Sequence, residues 1–266
     1  MSAGIPLAIV APVGGRLAVV GLGPGAAGLM APDARAELDR AQDILGYMTY
    51  VQMAGPFRPD QTLHLSDNRE ELARARHAFT LAAAGRHVAV VSSGDPGVFA
   101  MAAAVFEALD QSRDPAWNAV ELVVLPGISA AQAAAARAGA PLGHDFCVIS
   151  LSDNLKPWEL IERRLAAAAA ADFVLALYNP VSLARPTQFD LALDLLRQYR
   201  APATPVVLGR DIGRPAESLI VTSLADIRGD QVDMRTVVIV GSSTTRLLPR
   251  DDGTNWVYTP RWHDGK

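Results

Sequence analysis

Three glycine- and proline-rich strings hold the clearest chemical potential in this 266-residue sequence: G-L-G-P-G at 21–25, S-G-D-P-G at 93–97 and P-G-I-S-A at 126–130. Each follows a short apolar run, so each falls at the carboxyl end of an expected strand, where open α/β sheets bind ligands. Glycine clears space for a ligand to approach the backbone, and proline forces the bend. Gly23, Gly25 and Gly28 also satisfy G-x-G-x-x-G, the spacing of a dinucleotide-binding turn. The rest of that arrangement is missing. Pro24 interrupts the loop, a helix is expected only from Pro32, and the acid at a suitable distance, Asp43, lies at the expected end of that helix and not after a second strand. A nicotinamide-dependent oxidoreductase is the weaker reading, and a plain tight turn stays open for the first string alone. Three such turns on one expected rim point to a pocket for a flat or polar ligand read by backbone groups.

Other chemistries find little support. A single cysteine, Cys147, excludes a disulfide framework and a multi-cysteine zinc site; its neighbours Phe146 and Val148 suit a buried strand thiol better than a nucleophile. The histidines at 64, 77, 87, 144 and 263 have no metal-ligand spacing, so no metal is expected. A net charge of −4 speaks against a general nucleic-acid footprint. The N-terminal MSAGIPLAIVAPVGG lacks a basic start and is broken by Pro6 and Pro12, and no apolar run reaches the roughly 18 residues of a membrane span. A cytoplasmic protein without membrane contact is the expectation. Of the 24 basic residues only Lys156 and Lys266 are lysine, which reads as genome composition.

The elements that must position the loops alternate between short β-branched runs and alanine-rich helical stretches, the pattern of an α/β protein with mostly parallel sheets. Strands are expected at 17–21, 87–92, 120–125, 146–151, 173–178, 205–208, 217–222 and 237–240. Helices are expected at 32–43, 69–84, 98–109, 130–138, 157–171 and 188–199. The helix at 130 starts behind Ser129, a plausible N-cap. The glycines and proline at 139–145 suggest a linker, giving an N-terminal α/β domain at 16–138, a C-terminal α/β domain at 145–248, and a polar tail at 249–266 containing Trp256 and Trp262.

Taken in order, G-L-G-P-G at 21–25, S-S-G-D-P-G-V-F at 92–99, P-G-I-S-A at 126–130 and L-Y-N-P at 177–180 resemble the tetrapyrrole methylases, which use S-adenosyl-L-methionine. The likeness covers about residues 16–246. Within the family, P-L-G-H-D-F at 141–146, S-L-S-D at 150–153 with Pro157-Trp158-Glu159, and Y-N-P-V-S at 178–182 resemble the branch acting at C(17) of precorrin-3B in cobalamin synthesis. The resemblance implies two α/β domains with a ligand cleft between them, a methyl donor held largely by main chain, S-adenosyl-L-homocysteine as product, and a homodimer. It assigns donor contacts to Pro24, Gly94, Asp95, Val98, Ser129, Ala130, Tyr178 and Asn179, with Arg210, Ile212, Thr236 and Val237 as further positions. Asp95 serving only its own turn and Thr236 serving only its strand remain alternatives. So do a cobalt-containing substrate and a non-catalytic tetrapyrrole carrier.

The branch couples methylation at C(17) to ring contraction, with the C(20) carbon expelled from the ring as an attached acetyl group. Such a rearrangement calls for acid or base help, and Asp95, His144, Asp153 and Asp211 are candidates by their places near expected strand ends. The polycarboxylate substrate makes Arg58, Arg185, Arg210 and Arg214 candidate carboxylate clamps.

Overall fold

The computed structural model describes residues 15–67 and 70–262; the N-terminal residues 1–14, Arg69 at the expected start of a helix, and residues 263–266, which include His263, lie outside them. By packing, the chain divides into two units. One comprises the described residues up to Gly23 together with Ala27–Gly127, the other Pro24–Ala26 and the residues from Ile128 onward.

In the first unit the elements run β1 (Arg16–Gly21), α1 (Pro32–Arg40), β2 (Asp43–Tyr47), α2 (Met48–Ala54), β3 (Thr62–Ser66), α3 (Glu71–Ala83), β4 (His87–Ser92), α4 (Met101–Gln111), α5 (Pro115–Asn118) and β5 (Glu121–Leu125). The strands form one sheet in the order β3-β2-β4-β1-β5, with every neighbour parallel. Leu17 and Val19 of β1 pack on one face with Phe79 and Val105, whereas Ala18 and Val20 pack on the other with Leu38, Ile44 and Val51. Covering both faces with helices is what makes a parallel strand a continuous apolar run, and each such side chain contributes about 1.5–3 kcal/mol on burial.

The stretch after α1 departs from expectation. The helix expected to reach Asp43 ends at Arg40, because Ala41 is already extended, and Asp43 opens β2 instead. The whole β2-α2-β3 segment lay unread in the sequence: Gly46 obscures the strand pattern, yet a Cβ there would meet Val91 at 2.6 Å, so the glycine is what lets β2 lie against β4. Likewise the helix expected from Val98 begins at Met101, since Phe99 adopts φ 53°.

The second unit contains α6 (Ala130–Ala138), β6 (Gly139–Ala140), β7 (Phe146–Ser150), α7 (Trp158–Ala170), β8 (Val174–Tyr178), α8 (Gln188–Leu196), β9 (Pro205–Arg210), β10 (Ser218–Ser223), β11 (Thr236–Val240), β12 (Arg246–Pro249) and β13 (Asn255–Tyr258). Its main sheet has the order β10-β9-β11-β8-β7. Only β7 and β8 are parallel neighbours; the remaining three pairings are antiparallel. The expectation of mostly parallel sheets therefore holds for the first unit and is corrected for the second, where β11 inserts between β8 and β9 running the other way. Two faces are again covered, one by α7 and α8 and the other by α6, whose Ala131, Ala134 and Ala138 pack on Val207, Val237 and Ile239. Small alanines let α6 sit close to the sheet, and this packing places it with the second unit although its sequence was read as the end of the first.

The tail beyond Leu248 is likewise structured. β12 and β13 form a hairpin, and β13 pairs in parallel with the two residues of β6, inside the expected linker. Val257 is buried in the α6 core, while Arg250 lies over the Trp256 ring at 4.1 Å and Arg246 over Trp262 at 5.1 Å.

Candidate functional site

Strand order brings the glycine loops of the first unit together. β1 lies between β4 and β5, so the turns that follow these three strands are neighbours. Gly23 and Gly94 exchange hydrogen bonds, N–H of Gly23 to the Gly94 carbonyl at 3.1 Å and N–H of Gly94 to the Gly23 carbonyl at 2.7 Å. Both adopt φ 70°, a conformation open to glycine at little cost. A Cβ on Gly127 would overlap the Gly94 carbonyl oxygen, and one on Gly21 would meet the Gly127 nitrogen at 2.7 Å. These glycines therefore let three turns interlock, where the sequence suggested only room for a ligand. Asp95 completes the clasp: one carboxylate oxygen accepts from Gly97 N–H at 2.8 Å and the other from Gly127 N–H at 3.0 Å.

The second unit offers one sheet edge. Ser150 pairs with Tyr178 at the carboxyl ends of β7 and β8, Leu177 pairs with Val238, and Thr236 pairs with Arg210. Tyr178, Asn179, Arg210, Ile212, Thr236 and Val237 thus stand along the same edge, although they come from three strands of mixed direction. Tyr178 Oη accepts from the Ala131 amide at 2.9 Å, and Ser129 caps α6 in a reciprocal box with Gln132, so both hydroxyls serve the start of that helix. Asn179 donates to Ser150 Oγ at 2.9 Å and adopts φ 53°; Asp211 adopts φ 49°. Of the four non-glycine residues of positive φ among the described residues, these two directly follow strands that end at the candidate positions Tyr178 and Arg210, and Phe99 directly follows the candidate Val98. Such conformations cost about 1–3 kcal/mol and concentrate where function holds the backbone. The amides of Ala130, Asn179 and Ile212 have no acceptor among the described residues.

The four acid–base candidates separate. Asp95 has both oxygens committed to loop amides. Asp211 is buried, with Arg210, Arg214 and Arg235 at 3.2, 3.7 and 3.1 Å from its oxygens, and it binds this cationic cluster together with Asp233, which accepts from Arg210 Nε at 2.9 Å. His144 precedes the amino end of β7, beside Asp145 and near Asp172, Ser242 and Thr244. That is the far end of the strand from Ser150, about 13 Å along β7 at roughly 3.3 Å per residue. Asp153 remains on the edge, half-exposed, accepting from Gln188 Nε2 at 3.1 Å with Arg185 Nε at 3.6 Å. Cys147 lies within β7, and burial pushes its thiol up, away from the nucleophilic thiolate.

The arginines named as clamps are engaged within the protein. Arg58 bonds Asp60 and the Asp39 carbonyl, and Arg214 donates to the Pro24 carbonyl at 3.3 Å. Arg185 is buried and donates to the carbonyls of Leu151 and Asn179. Arg137, unnoticed in the sequence, pairs with Glu217, which also accepts from Gly213 N–H; that amide first, then Arg137 against the opposing effect of burial, holds the carboxyl below its ordinary range. Antiparallel pairing brings Asp233 and Arg235 beside Arg210, a juxtaposition with no local sequence signal.

Two parallel-to-mixed α/β units with interlocked glycine turns and a backbone-rich sheet edge define a class. Residues 16–228 match the model of the Tetrapyrrole (Corrin/Porphyrin) Methylases, and the chain belongs to that family. Over 252 residues, 94% of this chain and 98% of the relative, it is 54% identical to a precorrin-3B C(17)-methyltransferase of Sinorhizobium. It is 41% identical to a probable cobalt-factor III C(17)-methyltransferase of Salmonella typhimurium, over 92% of this chain and 98% of that one. The crystal structure of the methyltransferase CobJ superposes with a TM-score of 0.87 at 51% identity, covering 92% of this chain and 100% of that one. No helix among the described residues is long and apolar enough to cross a membrane.

Proposed function

We propose that the protein methylates precorrin-3B at C(17), with S-adenosyl-L-methionine as donor, and couples this to contraction of the macrocycle to give precorrin-4 in cobalamin synthesis. The observation that carries the reading is the whole-length likeness to the Sinorhizobium enzyme, which exceeds that to the cobalt-factor III relative and favours the metal-free substrate. The chain's own residues fit such a donor: main-chain amides at Ala130, Asn179 and Ile212, without an acceptor among the described residues, suit its polar groups, and turns rich in carbonyl oxygen suit a sulfonium. The donor supplies an electrophilic methyl group, which passes from sulfur to the ring carbon while sulfur keeps the bonding electron pair as the thioether product. The protein's part is to hold the two reacting atoms close and in line, which supplies much of the rate without a dedicated nucleophile.

In this reading Pro24, Gly94, Asp95, Val98, Ser129, Ala130, Tyr178, Asn179, Arg210, Ile212, Thr236 and Val237 contact or position the donor. Asp95 does so by fixing the turns. Asp153, the candidate left on the sheet edge with its carboxylate half-exposed, gives acid–base help in ring contraction. The protein acts as a cytoplasmic homodimer. Equilibrium dialysis tests donor binding: S-adenosyl-L-homocysteine is expected to bind in the micromolar range, and Asp95→Ala, which leaves the part-buried Gly127 amide without its acceptor at about 1–3 kcal/mol, is expected to weaken it at least tenfold while the protein stays folded. An absence of binding by the native protein overturns the reading; unchanged affinity in the variant removes Asp95 from it.

A further inference from the structure

Most donors of the candidate arginines of the second unit are engaged within the protein, which leaves open what meets the carboxylates of a tetrapyrrole. Lys156 is the one lysine among the described residues of a chain that has 22 arginines. It lies in the segment between β7 and α7, after the same sheet edge that bears Tyr178 and Asp153, and it makes no hydrogen bond or ion pair among the described residues. Its surroundings are short of negative charge. Arg164 and Arg185 act on it against Asp153 alone; burial first, then these two cations, hold its ammonium below the usual lysine value. A buried or crowded ammonium without a counterion is destabilised, and an arriving anion would relieve that.

Two further observations point the same way. α7 has Pro157 at its N-cap and no side-chain acceptor there, so the Trp158 and Glu159 amides stand uncapped beside Lys156 at the positive end of a 13-residue helix. Arg185, whose side chain is 5% exposed, has its Nε without a hydrogen-bond acceptor, 3.6 Å from Asp153 Oδ1. Glu159 is the one acid of the first turn and is exposed.

We infer that Lys156, with the uncapped start of α7 and the Arg185 guanidinium behind it, binds a side-chain carboxylate of the tetrapyrrole substrate. The inference rests on the proposed function for the identity of that substrate. Lysine suits the place because its compact, strongly hydrated ammonium acts as a point charge, whereas arginine demands a planar fork. The same contact sets the macrocycle against the segment containing Asp153, three residues upstream.

The scarcity of lysine makes the test direct. Reductive methylation with carbon-13 formaldehyde labels Lys156, Lys266 and the N-terminus, and Lys156→Gln assigns the first signal. Titration with uroporphyrin III, an unreactive tetrapyrrole octacarboxylate, is expected to raise the Lys156 pKa and leave Lys266 unmoved. In the unlabelled enzyme, Lys156→Gln is expected to raise KM for precorrin-3B about 10- to 100-fold, the range of a lost charge-assisted bond, with kcat and S-adenosyl-L-homocysteine affinity within threefold. Lys156→Arg is expected to recover part of the loss. If native protein binds and methylates the tetrapyrrole while Lys156 does not shift and the Gln variant keeps its KM, the inference is overturned and the function stands. If native protein neither binds nor methylates it, the function falls and takes the inference with it.

Discussion

Asp95 and Asp153 illustrate how burial and partners sort residues of one type. Asp95 looks catalytic in sequence, sitting within S-G-D-P-G, but both of its oxygens are filled by amides of neighbouring turns. Asp153 ends the S-L-S-D string without a glycine turn around it, and it keeps a half-exposed carboxylate at the strand edge, held by Gln188 on one oxygen. Asp153→Asn preserves that hydrogen-bonding shape and removes the proton acceptor. It is expected to slow formation of the contracted ring about 100-fold or more, the usual scale of acid–base help, with donor affinity within twofold. A contracted product formed at the native rate in single-turnover experiments would remove Asp153 from the chemistry. His144 lies two residues before β7, at the end of that strand away from Ser150, so it stands apart from Asp153 within the second unit.

At the scale of elements, the edge of the first sheet depends on charge. Asp43 at the start of β2 is bonded by His64 of β3 at 2.8 Å and by Arg86 beside β4, tying three adjacent strands. Burial pushes its carboxyl up, but the bonds from Arg86 and His64 more than offset this and hold it below the ordinary value. A depressed folded-state value means the stabilisation is complete above the unfolded carboxylate pKa and is lost as pH falls through the folded one. Thermal melts are therefore expected to drop more steeply on acidification for the native protein than for Asp43→Asn; parallel curves would contradict the assignment. Elements with strong local signals were legible: β4 and α6 fall at the residues read from their apolar runs and flanking turns. The missed ones lack such signals. β6 has two residues and exists through its pairing with β13, and β2 is masked by the glycine that permits its packing.

At the scale of the molecule, each unit turns a different sheet to a similar use. The first is all parallel, so its carboxyl edge gathers successive turns; the second is mixed, so its corresponding edge joins the ends of β8 and β9 with the start of β11. The family and its α/β character were legible because the glycine turns are contiguous strings with fixed spacing. The direction of β11 was not, because periodicity reports burial and says nothing about orientation. A net charge of −4 also acquires a sharper meaning: an acidic protein that receives a polycarboxylate needs local positive charge, and the arginine excess is largely consumed by internal pairs. The most direct test of the central claim is to incubate the protein with precorrin-3B and donor labelled with carbon-13 in its methyl group, then examine the product by mass spectrometry and carbon-13 NMR. The expected product has one labelled methyl at C(17) and a contracted ring bearing the acetyl group; label at another ring position, or no transfer by folded protein that binds both ligands, would contradict the account.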